Sequence, residues 1–144
     1  MSLPNADHAF EAVLATLRAS TGMAWGDTDA PGAQRTIPDA TRPYGVAQIM
    51  PGGATGGDVA QPDGMRSIVV QLTAVAVTEK GARAAAERAH QTMLARGPGG
   101  FVAPITPAPP TYVVNRSFDS SGGVDREGPL YNSVARYVID LAST

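Results

Sequence analysis

Ser67 to Val77 read SIVVQLTAVAV. β-Branched residues dominate the run, and both faces are apolar over much of its length. That is the pattern of a strand covered on both sides, so it is expected at the centre of a sheet rather than at an edge. Thr78 or Glu79 then opens TEKGARAAAERAHQTMLAR, a helix expected to run to about Arg96. Its inner stripe is Ala82, Ala86, Ala89 and Met93, and such small residues let a helix approach a sheet closely. Arg83 and Glu87 form an i, i+4 pair on the outer side, worth about 0.2–0.5 kcal/mol. Gly97-Pro98-Gly99-Gly100 ends the helix. A central strand followed at once by a helix commits the chain to a sheet with helices layered on it.

The other segments fit around this block. Asn5 or Asp7 caps a first helix to about Ser20, with Phe10, Val13, Leu14 and Leu17 on one face and Gly22 as its stop. Residues 25–43, with three prolines, are expected to be a loop with a short extended piece near Arg35–Ile37. Tyr44–Met50 is a strand, and the glycine-rich PGGATGGDVAQPDG of residues 51–64 follows it. Phe101–Ile105 is a short strand before TPAPP, and Thr111–Phe118 is another. Ser120–Pro129, SSGGVDREGP, is expected to be a long polar loop. Leu130–Leu141 is the last strand, with Tyr131, Ser133, Ala135, Tyr137, Ile139 and Leu141 on one face. Twelve residues at ~3.3 Å each span about 40 Å, long for a domain whose radius of gyration is ~14–15 Å. This strand therefore bends or extends past its own subunit.

The order α-β-β-α-β-β-β predicts a single α+β domain over residues 1–144. Its sheet has four to five strands, antiparallel or mixed. An N-terminal helix and one longer helix lie on one face, and the loops are long and rich in Gly and Pro. The 16 glycines and 12 prolines exceed the usual share of about 12% and cluster between the elements.

Composition narrows the function classes. The net charge of −2 gives no basic surface for sequence-specific nucleic-acid binding. The absence of cysteine removes disulfides, thiolate catalysis and Cys-type zinc sites. MSLPNADHAF has neither a basic n-region nor an apolar h-region, so no signal peptide is expected. The longest apolar run, Ile68–Val77, is too short to span a bilayer, so no membrane partner is expected. Ten arginines against the one lysine, Lys80, fit a GC-rich coding bias.

The motifs that carry chemistry are incomplete in this sequence. The glycine-rich segment lacks the lysine of a P-loop and leads into a strand rather than a helix. Asp27-Thr28-Asp29-Ala30-Pro31-Gly32 imitates the start of an EF-hand, but position 5 is proline and position 12 is Pro38 where a glutamate is needed. His8 and His90 each stand alone, without a second ligand at metal spacing, and are expected to be surface or edge histidines. Asp119, Asp125, Arg126 and Glu127 suit a solvated loop tip, and packing explains Tyr131 and Tyr137. No catalytic, cofactor or metal residue is expected, and the chain is not expected to be an enzyme.

The chain resembles the tail terminator (tail completion or minor tail) proteins of long-tailed bacteriophages. The likeness lies in FEAVLATLRAS, PYGVAQI, the glycine-rich loop, the block SIVVQLTAVAVTEKGARAAAERAHQTML and the closing LYNSVARYVIDL. It implies a structural virion protein, made in the host cytoplasm and located at the head–tail junction. Such proteins form a ring, usually of six subunits, that caps the tail tube. The partners implied are further copies of itself, the tail tube protein and a head-completion or neck protein. Under this reading residues 51–66 form an assembly loop. The expected interface residues are Gly53, Gly57, Asp58, Asp63, Arg66, Arg116, Asp125, Arg126, Glu127, Tyr131 and Tyr137. Two alternatives stand beside it: another head–tail connector such as a stopper, and a small-molecule-binding or enzymatic α+β domain with a Gly-rich lid.

Overall fold

The structure, a computed structural model, describes residues 4–27, 42–50 and 65–143. It is a mixed α+β fold. Helix α1 spans Ala6–Thr21 and α2 spans Glu79–Leu94. The strands are β1 (Ala24–Asp27), β2 (Tyr44–Ile49), β3 (Met65–Ala76), β4 (Arg96–Gly97), β5 (Gly100–Phe101), β6 (Thr111–Glu127) and β7 (Leu130–Ser143). Five of them form one sheet in the order β1-β2-β3-β7-β6, and β4 and β5 form a separate two-stranded pair. β1 runs parallel to β2 and every other neighbouring pair is antiparallel. The sheet is therefore mixed, with β3 third of five, in the central place expected of it, although among the described residues helices cover only its Ile68–Ala74 face rather than both.

Both helices begin at side-chain caps. Asn5 Oδ1 accepts the His8 N–H at 3.1 Å, and Thr78 Oγ1 accepts the Gly81 N–H at 3.0 Å. Gly22, at φ 70, ends α1 in the left-handed conformation. α2 is no longer than α1, since each has 16 residues. It stops at Leu94 because Arg96 and Gly97 pair with Gly100 and Phe101 across a tight turn. Its buried stripe is Ala82, Ala85, Ala89, Thr92 and Met93, while Ala86 is only half-buried.

One hydrophobic core lies between the helices and one face of the sheet. α1 contributes Ala9, Phe10, Val13, Leu14 and Leu17 to it. β3 contributes Ile68, Val70, Leu72 and Ala74, and β7 contributes Tyr137, Ile139 and Leu141. The register pairs Ile68 with Ile139 and Val70 with Tyr137, so these residues share a face. The other face carries no helix among the described residues. A polar ladder crosses it, in which Gln71 Nε2 donates to Gln48 Oε1 at 3.1 Å and Arg136 Nε donates to Gln71 Oε1 at 3.1 Å.

Three expected elements differ. Trp25–Asp27 was expected to be loop but forms most of β1. Trp25 is 2% exposed, and its indole N–H donates to Thr21 Oγ1 at 2.8 Å. Burial of that ring, which no local pattern announces, draws the segment onto the edge of β2. Phe101–Ile105 is not a strand beyond Phe101. Ala103 and Ile105 are buried in alternation, but the prolines at 104, 107, 109 and 110 supply no ladder donors. The segment is instead fastened to α1, where Thr16 Oγ1 donates to the Pro104 carbonyl at 2.7 Å.

The largest difference is Ser120–Pro129. It is not a long loop, because β6 continues to Glu127 and only Gly128–Pro129 turn the chain. The pairing with β7 shifts register between Val113 and Asn115, between Phe118 and Ser120, and between Ser121 and Val124. The Ser- and Gly-rich composition builds β-bulges, with Gly123 at φ 75, rather than a loop. The last strand is paired along its whole length within its own sheet. The expected extended piece at Arg35–Ile37 and the glycine-rich segment 51–64 lie outside the described residues.

Candidate functional site

Two features on the β6 side of the sheet stand out. The first is a groove of about 540 Å³ between α2 and the β6–β7 hairpin. Glu79, Arg83 and Glu87 follow one another at four-residue intervals along α2 and form one rim. Ser121, Gly123 and Val124 of β6 form the other wall, with Ser133 and Ala135 of β7. The hairpin wall carries mostly small side chains, which leaves room opposite the longer ones of α2. Its floor is aromatic. The His90 and Phe118 rings meet edge-on with centroids 5.5 Å apart, and Phe118 and Tyr137 do so at 5.9 Å. His90 Nδ1 and the Tyr137 hydroxyl lie 2.9 Å apart, in hydrogen-bond contact.

Tyr137 is 1% exposed. Burial, and then the negative charge of Glu87, push its phenol pKa up to about 12. The neutral phenol is thus a fixed part of the groove floor at neutral pH. The fold keeps the phenol neutral above its ordinary value of 10.0. This stabilising contribution is therefore complete below about pH 10 and is lost as the pH rises towards about 12. An absorbance titration at 295 nm is expected to show a tyrosinate transition centred near 12, absent in Tyr137→Phe. A Tyr137 transition at the ordinary value would show that the ring is not held in this site.

The second feature is the outer edge of β6, which pairs with nothing among the described residues. Its two halves differ. From Asp119 onwards, two bulges and the charges of Asp119, Asp125, Arg126 and Glu127 guard the edge against pairing. Thr111–Phe118 carries less protection and more exposed apolar surface. Tyr112, Val114 and Phe118 are 46%, 48% and 46% exposed, although all three are large apolar side chains.

The residues expected at an interface are scattered. Gly53, Gly57, Asp58 and Asp63 lie outside the described residues. Arg66 is half-buried, and its Nη1 donates to the Pro4 carbonyl at 3.3 Å. Asp125, Arg126, Glu127 and Tyr131 do come together at the hairpin turn. There the Arg126 guanidinium lies 5.6 Å from the Tyr131 ring centroid, and Asn132 Nδ2 donates to Glu127 Oε2 at 3.0 Å.

Two expectations are corrected. Arg116 is 5% exposed and faces inward, where its guanidinium donates to the Thr92, Met93 and Ala103 carbonyls. Tyr137 is a floor residue beneath α2 rather than an outer contact.

The groove residues Glu79, Arg83, Glu87, His90 and Phe118 were not foreseen as a site. Arg83 and Glu87 are spaced as an i, i+4 pair in the sequence, but the Ser- and Gly-rich composition of the wall opposite them reads as a loop. Among the described residues, no three His, Cys, Asp or Glu side chains converge as a metal site. No described helix is long and apolar enough to cross a membrane. A scan against protein-family models finds no match, and a search of curated proteins finds no relative.

Proposed function

We propose that this chain is a structural assembly subunit, a tail terminator of the kind its sequence resembles. In this reading it closes into a ring, caps a tail tube and presents a surface to head-completion proteins. The observation that supports it is the outer edge of the Thr111–Phe118 half of β6, which is unpaired among the described residues and carries the exposed Tyr112 and Val114. A strand edge of this kind pairs readily with another chain. Among the described residues the sheet also ends in two unlike edges, the four-residue parallel β1 and the 17-residue antiparallel β6. A heterologous contact needs two different surfaces, and repeated around a closing rotation it makes a ring. No catalytic step belongs to this reading.

The test is native mass spectrometry over a concentration series, alone and with purified tail tubes, on the wild type and on Tyr112→Lys/Val114→Lys. Both side chains are about half exposed, so the variant is expected to fold. The wild type is expected to give a closed ring, free or on tube ends, and the variant to remain monomeric and leave tubes uncapped. A variant that rings and caps like the wild type would remove β6 from the interface. A wild type that neither rings nor binds tubes would sink the reading itself.

A further inference from the structure

We propose that the groove between α2 and the distal half of the β6–β7 hairpin is a docking site for an arginine side chain presented by a partner protein. The inference stands whether or not the chain closes a ring.

The groups that face the groove decide the chemistry. Its titratable residues are Glu79, Arg83, Glu87, His90 and Tyr137. Two carboxylates against one guanidinium favour a cationic guest. The Glu79 and Arg83 side chains make no hydrogen bond or ion pair among the described residues, so the rim charge is not already consumed within the fold. Glu87 Oε1 accepts from Gln91 Nε2 at 2.9 Å, which orients the carboxylate and leaves Oε2 for a guest.

The floor favours a planar cation. Phe118 is 46% exposed at the groove although it packs edge-on against His90 and Tyr137. A guanidinium stacks on such a ring while its fork pairs with a carboxylate, and a lysine ammonium does this less well. Ala86, Ala135 and Val124 supply apolar wall for the aliphatic stem of the guest. The groove is open along its length, as a side chain arriving on a partner's loop or strand requires.

The probe is the capped tripeptide acetyl-Ala-Arg-Val-amide, titrated into the full chain and followed by amide chemical shifts. Its citrulline counterpart has the same shape without the charge. The arginine probe is expected to give saturable shifts confined to Glu87, His90, Phe118 and Ser121. Binding is expected to weaken at least about tenfold for the citrulline probe and for Glu87→Gln, as loss of a charge-assisted pair requires. Ser121→Trp, a change at an exposed position, is expected to block the groove and abolish the shifts. Equal binding of the citrulline probe would overturn the proposal. So would shifts centred elsewhere, or tighter binding of an acetyl-Ala-Glu-Val-amide probe through Arg83. No saturation by roughly 50 mM would also overturn it, since a paired and stacked guanidinium supports millimolar affinity.

Discussion

Arg116→Ala is expected to destabilise the fold by about 3–4 kcal/mol, lowering the melting temperature by on the order of 10 °C. The guanidinium is 5% exposed and sits where α2 ends. Its Nη1 donates to the Met93 carbonyl at 3.2 Å, with the Thr92 carbonyl at 3.5 Å, and its Nη2 donates to the Ala103 carbonyl. The last carbonyls of a helix have no intrahelical partners, and a cation there also meets the negative end of the helix dipole. The Phe101 ring lies 4.4 Å from the guanidinium carbon. Burial pushes the Arg116 pKa down from its ordinary value, but arginine stays charged in proteins. Alanine would leave buried carbonyls unsatisfied and a cavity beside Phe101. Arg116→Lys is expected to recover less than half of the loss, because one ammonium cannot bridge both carbonyl groups and stack on the ring. Urea unfolding of the three proteins checks this. A loss below about 1 kcal/mol for alanine would mean that the guanidinium barely outweighs its own desolvation.

Gly45→Ala is expected to cost about 2–3 kcal/mol, a large effect for one methyl group. A Cβ at position 45 would stand 2.4 Å from Cε3 and Cζ3 of Trp25. The indole cannot easily yield, because its N–H is held by Thr21 and the ring is 2% exposed. Gly45 lies opposite Trp25 in the parallel pairing of β1 and β2, so the clash falls where the two strands meet. Trp25→Ala alone is expected to cost about 3–5 kcal/mol through the lost ring and the cavity. The double variant is expected to be more stable than the sum of the two losses by at least about 1 kcal/mol, since the new methyl then has room. Simple additivity in that cycle would show that the ring and the glycine are not in contact.

Both predictions rest on residues whose roles local sequence patterns did not reveal. Gly45 looked like one residue of a strand and Trp25 like the start of a loop. Arg116 was expected at an outer interface, since it stands in the polar run Asn115-Arg116-Ser117 of a strand. What drew it inward was the carbonyl cluster formed by the end of α2 and by Ala103, which come from separate parts of the chain.

The elements set by short-range physics were legible. α1 follows from Asn5, the stripe Phe10–Leu17 and Gly22, because capping and helical periodicity act within a few residues. The centrality of β3 follows from its long apolar run rich in β-branched residues, and the start of α2 from the Thr78 cap. These properties survive wherever the chain goes next, so the sequence by itself determined an α+β fold with helices on one face of the sheet. Tertiary structure decided the rest. β1 exists because a distant glycine makes room for Trp25. Ser120–Glu127 are strand because β7 offers a ladder of partners, and bulges absorb the glycines that would otherwise make a loop. The groove belongs to this second class. Its rim lies on one helix and its far wall on a hairpin, and only the packing of α2 against β6 and β7 brings the carboxylates over the aromatic floor.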